Sequence, residues 1–161
     1  MSLYKLESSD GKIFTVDAAT VKQMVTIQTM IDHEDEDSDE VTPVPTVKAK
    51  VLEKIIQWTE YHKIDHEKTE KIAWYIQYFN VDLNELFEII IAADYLEVEN
   101  LLKEACHNLL INNKWEIIEG EPAEVLTPLI HYKEENGYEV IVTKVDDKYL
   151  KYFDTKVKLD N

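Results

Sequence analysis

The spacing of apolar residues along this 161-residue chain changes several times, and each change marks an element. Leu3 to Glu7 and Lys12 to Val16 alternate apolar and polar positions around Ser8-Ser9-Asp10-Gly11, which predicts two short strands joined by a turn. Asp17 is placed to cap a short helix through Met24, and a second helical turn follows over Thr26 to Ile31. Asp32 to Glu40, reading DHEDEDSDE, is a run of mutually repelling charge with nothing to bury, so a loop is expected there. Pro43 to Val47 is expected as an extended edge segment and third strand, because proline cannot donate to a sheet ladder. Lys48 to Lys63 sets Val51, Leu52, Ile55, Ile56 and Trp58 near helical spacing, which predicts a long amphipathic helix. Ile64 to Lys71 reads as a polar connector and Ile72 to Phe79 as an aromatic-rich segment. Glu99 to Ile111 returns to helical spacing through Leu101, Leu102, Cys106, Leu109 and Leu110.

The most informative stretch is Asp82 to Leu102. Asp82 followed by Glu85 has capping-box spacing, and Leu86, Phe87, Ile89, Ile90, Ile91, Ala92 and Ala93 are apolar almost all the way round the helix they predict. Such a helix must be covered on more than one side. A small domain covers one face with its own core, so the second face implies a partner protein or an extra layer of this same chain. The segment reads as a docking helix.

Composition narrows the function. A hydrophobic fraction of 45% supports a real core, which argues against disorder throughout. The formal net charge of -16 repels nucleic acid and anionic membrane surfaces, so neither is an expected partner; basic protein surfaces fit better. Lysine supplies all 17 positive charges, and without arginine the planar fork that grips phosphate is missing. One cysteine, Cys106, leaves no internal disulfide, and neither a signal peptide nor a bilayer-length apolar run is evident. The expected location is therefore the cytoplasm and nucleus.

Candidate chemistry is weak throughout. Asp35, Asp37 and Asp39 have the alternate spacing of a calcium loop, but Glu40 replaces the turn glycine and Thr46 stands where a bidentate glutamate is required. His62 and His66 are four apart, as helical zinc ligands are, yet no H-E-x-x-H pattern or second cysteine joins them. Cys106 on an apolar helix face reads as a buried structural thiol. Trp58, Trp74 and Trp115 read as packing residues, since no basic groove accompanies them. No phosphate loop or nucleophile elbow appears, and no catalytic residue, metal or cofactor is assigned.

The segments YKLESSDGKIFTV, VKQMVTIQTM, PVPTV, VLEKIIQWTEYHK and LFEIIIAADYLEVENLL, in this order from about Tyr4 to Leu110, resemble the Skp adapter family of SCF ubiquitin ligases. Elongin C is the nearest sister, but it lacks the acidic insert and the QW-x-x-x-HK helix end. The resemblance implies an α+β BTB/POZ fold, a small mixed sheet with helices around it, over residues 1–113, with the acidic loop at 32–42. It also implies an adapter that joins a cullin N-terminal domain to an F-box substrate receptor. Carried over by position, Asp94 and Tyr95 of the AADYL motif face the cullin, with Asp94 where the family usually has asparagine. Leu86, Ile90, Leu102, Cys106 and Leu109 form the implied F-box seat, each to be weighed against ordinary core.

Beyond the Leu109 helix the resemblance stops. The family continues with a basic turn and helices that clasp the F-box, whereas residues 114–161 here form a divergent extension. Gly120, Pro122, Glu124 and Val125 faintly echo the family turn, suggesting a short helix, and Pro128 would interrupt a long one. Tyr138 to Val145 and Lys148 to Phe153 alternate and are rich in β-branched and aromatic residues, predicting a β-hairpin across Asp146-Asp147. That hairpin either covers the docking helix or offers a new binding edge. Two readings follow: a non-enzymatic ligase adapter, or a BTB-type interaction protein that self-associates, for instance as a homodimer, or sequesters a partner without assembling a ligase.

Overall fold

Strands β1 (Leu3–Glu7) and β2 (Ile13–Asp17) pair antiparallel, with Tyr4 opposite Val16 and Leu6 opposite Phe14, so one face carries Leu6 and Val16 into the core. This is seen in a computed structural model that describes residues 3–32, 40–111, 128–133, 139–145 and 148–154. The turn between the strands needs Gly11, whose φ of 90 lies in the left-handed region where a side chain is disfavoured. Ser8 closes it: its hydroxyl donates to Asp10 at 2.6 Å and accepts from the Lys12 amide at 3.0 Å.

Strand β3 (Val41–Pro43) runs parallel to β1, giving the order β2-β1-β3 and a small mixed sheet. The third strand thus lies earlier than the expected Pro43 to Val47. Pro43 ends it rather than opening it, and the next residues hold to β1 by single bonds instead of a ladder: Val44 donates to the Glu7 carbonyl, and Ser9 donates to that of Val47. Thr46 interrupts any continued ladder because its φ of 74 is left-handed, a strained state for a β-branched residue.

Helix α1 (Ala18–Gln23) begins where Asp17 accepts from the Thr20 amide, as its sequence position predicts, and α2 (Val25–Asp32) follows after Met24. The same Asp17 carboxylate reaches Lys63 at 2.7 Å and ties the hairpin to the far end of α3 (Ala49–Tyr61). That lysine, and then the Thr20 amide, hold the Asp17 carboxyl below its usual range. The start of α3 has no side-chain cap of its own; Asp10 of the hairpin turn accepts from the Ala49 amide at 2.8 Å. The Ser8-Ser9-Asp10-Gly11 turn therefore serves twice, reversing the chain and capping a helix that lies 39 residues away in sequence.

Helix α4 (Lys68–Tyr78) starts within the expected polar connector and packs its aromatic side on α3. Trp58 is the hub: fully buried, stacked on His62 and Tyr75, with its indole N–H donating to Asn100 at 3.1 Å. Lys54 and Tyr78 bond each other's carbonyls, at 2.6 and 2.7 Å, and clamp the two helices together.

The expected docking segment is two helices, α5 (Leu83–Leu96) and α6 (Glu99–Ile111), with Asp82 capping the first through the Glu85 amide. Glu97 breaks the run with φ 55, a left-handed place usually held by glycine. The Val98 amide bonds Ala93 and the Glu97 amide bonds Asp94, a Schellman closure, while Val98 buries its side chain. The docking stretch expected over Asp82 to Leu102 thus crosses a turn, and the second helix begins at Glu99, where the helical spacing placed it.

A second sheet in the order β4-β5-β6 comprises β4 (Pro128–Lys133), β5 (Glu139–Val145) and β6 (Lys148–Asp154), all antiparallel. Two of its strands fall on the expected hairpin. The third, β4, was unforeseen; Pro128 sits at its first position on an edge, where a missing N–H costs no ladder bond. The expected short helix near Pro122 and the 113/114 boundary lie outside the described residues, as do the acidic residues 33–39 with Asp35, Asp37 and Asp39.

Candidate partner-binding surface

Helix α5 sorts its side chains by depth. Leu86, Phe87, Ile89, Ile90, Ala92, Ala93 and Leu96 are buried, and this arc faces α2, α3 and α6. Each buried aliphatic or aromatic side chain contributes about 1.5–3 kcal/mol, so this helix anchors the domain. Strands β4 and β6 also lie against α5. The C-terminal extension of the same chain thus reaches this helix.

The opposite stripe of α5 looks outward. Glu88, Ile91 and Tyr95 stand at three- and four-residue intervals and are half-buried, half-buried and 37% exposed, with Asp94 exposed beside them. The Tyr95 carbonyl accepts from the Thr26 hydroxyl at 2.7 Å, which fixes the end of α5 against α2. Burial, and after it the Glu97 carboxylate, push the Asp94 carboxyl up from its ordinary range. Asp94 and Tyr95, the two residues assigned to a cullin by resemblance, therefore share one accessible helix end.

Beside this stripe is a cavity of about 270 Å³ lined by Thr46, Val47, Lys48, Val51, Glu88, Ile91 and Ala92. Its floor is aliphatic, and Lys48 and Glu88 bring opposite charges to its wall. Nothing in the sequence marked it, because the strained Thr46 turn and the α5 face meet only in three dimensions.

The five residues assigned to an F-box are brought together but not laid open. Leu86, Ile90, Cys106 and Leu109 belong to the main core, and Leu102 packs against that core half-buried. Leu102 alone of the five offers side-chain surface to a partner.

The remaining candidates take structural places. His62 lies 2.7 Å from both the Trp58 carbonyl and the Tyr75 hydroxyl; His66 lies 2.8 Å from the Tyr61 carbonyl and 3.7 Å from Glu70. Burial lowers the His62 pKa and pushes that of Tyr75 up to about 12. Trp74 stacks on Tyr61 and Tyr78. Trp115 lies outside the described residues. Among the described residues no cluster of three or more His, Cys, Asp or Glu is arranged to hold a metal ion, and no helix is long and apolar enough to cross a membrane.

Comparison with known proteins gives one consistent answer. Residues 2–64 match the family model described as "Skp1 family, tetramerisation domain". The E3 ubiquitin ligase complex SCF subunit sconC of Neosartorya fischeri is 38% identical over 117 residues, covering 66% of this chain and 73% of the relative. The proteins of the same name from two strains of Aspergillus fumigatus match to the same extent.

Proposed function

This chain belongs to the Skp1 family, and on that premise we propose that it is the adapter subunit of an SCF-type ubiquitin ligase, joining a cullin to an F-box substrate receptor. An adapter needs no catalytic group; it needs two faces on one rigid body. The family is a non-catalytic one, in keeping with a chain that is not an enzyme. The single observation that carries the reading is the likeness to SCF subunits over most of their length, together with the α+β architecture of a small mixed sheet and surrounding helices.

The cullin face is the end of α5. Its support is accessibility: Asp94 and Tyr95 project from a helix whose other side is locked into the core, so a partner meets a preorganised surface. An exposed tyrosine beside an acidic group suits a complementary polar and aromatic contact. The receptor face is α6 around Leu102, with Leu86, Ile90, Cys106 and Leu109 holding that helix in place from beneath. Its C-terminal half differs from the clasp the family resemblance implies, since β4 and β6 stand against α5.

Replacing Asp94 and Tyr95 together with lysine tests the reading. Both side chains are exposed, so the melting curve should stay close to wild type while calorimetry with a cullin N-terminal domain shows binding lost. Cullin affinity equal to that of the unaltered chain would remove this face, and no binding by the unaltered chain to any cullin would remove the adapter role.

A further inference from the structure

Helix α5 meets its neighbours on separate flanks. At about 100° of turn per residue, Glu85 and Ala92 share one flank, Asn84 and Tyr95 lie on the outward stripe, and Phe87 and Ile90 lie across from Glu85 and Ala92. Helix α3 takes the first flank: Lys50 pairs with Glu85 at 3.9 Å, and Val51 and Ala92 line the same cavity. The outward stripe stays open, with Asn84 and Tyr95 both exposed. Yet Phe87 and Ile90 are only 2% and 0% exposed, so the far flank is covered as well.

Two bodies are left to cover it. Helix α2 meets the C-terminal end of α5, where Thr26 holds the Tyr95 carbonyl. Helix α6 packs along α5, and strands β4 and β6, the two edges of the C-terminal sheet, stand against the same helix. With α3 on the opposite flank and the outward stripe open, the sheet has only the Phe87 and Ile90 side of α5 to rest on. Leu86 lies one turn before Ile90 on that side, and the α6 helix that carries Leu102 packs beside it. The sheet and the proposed receptor therefore claim one surface.

Resting on the adapter reading above, we infer that the β4-β5-β6 sheet is an intramolecular occupant of the receptor side of α5, which an F-box receptor must displace in order to bind. The sheet keeps this apolar flank out of water when no receptor is present. Being part of the same chain, it competes at a fixed local concentration that dilution does not lower. Apparent receptor affinity is then the intrinsic affinity reduced by the fraction of chains whose sheet is away. With one chain in about ten open, binding is about tenfold weaker.

Calorimetry with an F-box domain, comparing the full chain with Val142→Pro, tests it. Val142 lies in the central strand, opposite Ile130 of β4 and Lys151 of β6, so proline there removes a ladder donor from the middle of the sheet and alters no residue of α5 or α6. The expected result is F-box binding at least about tenfold tighter in the variant. Hydrogen exchange on the unaltered chain is the second measurement, and it decides alone if the variant fails to fold. A three-stranded sheet that leaves α5 loses the body it packs on, so adding the F-box domain should speed exchange in β4, β5 and β6. Equal or weaker binding by Val142→Pro, or sheet amides slowed or unchanged by the F-box domain, overturns the inference. No F-box binding by either chain removes the receptor reading and the competition with it, whereas binding without these changes removes the competition alone.

Discussion

Ile90→Ala separates a core role from a docking role at the heart of α5. Ile90 has no exposed surface and stands in the main core, between the helices that α5 contacts. Removing its outer carbons from a packed site forfeits their transfer free energy and leaves a void that the neighbours only partly fill. The expected cost is about 2–5 kcal/mol, a large share of the roughly 5–15 kcal/mol that holds a domain folded. Leu102→Ala is the internal control. Leu102 is half-buried, so a smaller part of its side chain leaves water on folding, and about 1 kcal/mol is expected. Urea denaturation followed by tryptophan fluorescence reads both, because Trp58 lies in the same core. With each kcal/mol worth about 2–4 °C in a chain of this size, a thermal melt gives an independent check. If Ile90→Ala lost less than about 1 kcal/mol while Leu102→Ala lost more, the burial argument would fail and Ile90 would be a surface seat.

Protonation of His62 should destabilise the chain at mildly acid pH. Its ring donates to the Trp58 carbonyl through Nδ1 and accepts from Tyr75 at Nε2 only when neutral, and burial lowers its pKa below the ordinary value of 6.5. Lys71 and His66 nearby act in the same direction, and the Trp58 carbonyl and Glu104 oppose it. A lowered folded pKa means that its contribution is complete above pH 6.5 and is lost as pH falls from there through the folded value. Melting temperature from pH 7 to pH 5 should therefore fall more steeply for the unaltered chain than for His62→Gln; parallel slopes would contradict it. Truncation after Asn113 removes the sheet that lies against α5, and should expose apolar surface read as dye binding or self-association. A truncated chain that stays monomeric, dye-free and equally stable would make the extension an independent module.

Local physics determined much of this protein. Alternation about Gly11 specifies the first hairpin, Asp17 and Asp82 start their helices through side-chain caps, and the spacing of Leu52, Ile55 and Trp58 marks the buried side of α3. These signals are legible because each partner lies within a few residues. The ordered segments from Tyr4 to Leu110 likewise suffice to point to the family, and the apolar girth of α5 announces that it needs cover on more than one side. What that cover is was settled elsewhere. Only the tertiary structure joins Asp10 to Ala49, Asp17 to Lys63 and Trp58 to Asn100, since capping and pairing across 39 to 46 residues leave no periodic trace. It alone breaks the long apolar run at Glu97, where a left-handed turn secured by Ala93, Asp94 and Thr26 overrides the propensity to continue. And it alone sorts one helix into a buried arc and the Tyr95 stripe, because burial belongs to the packing of several elements and not to any one of them.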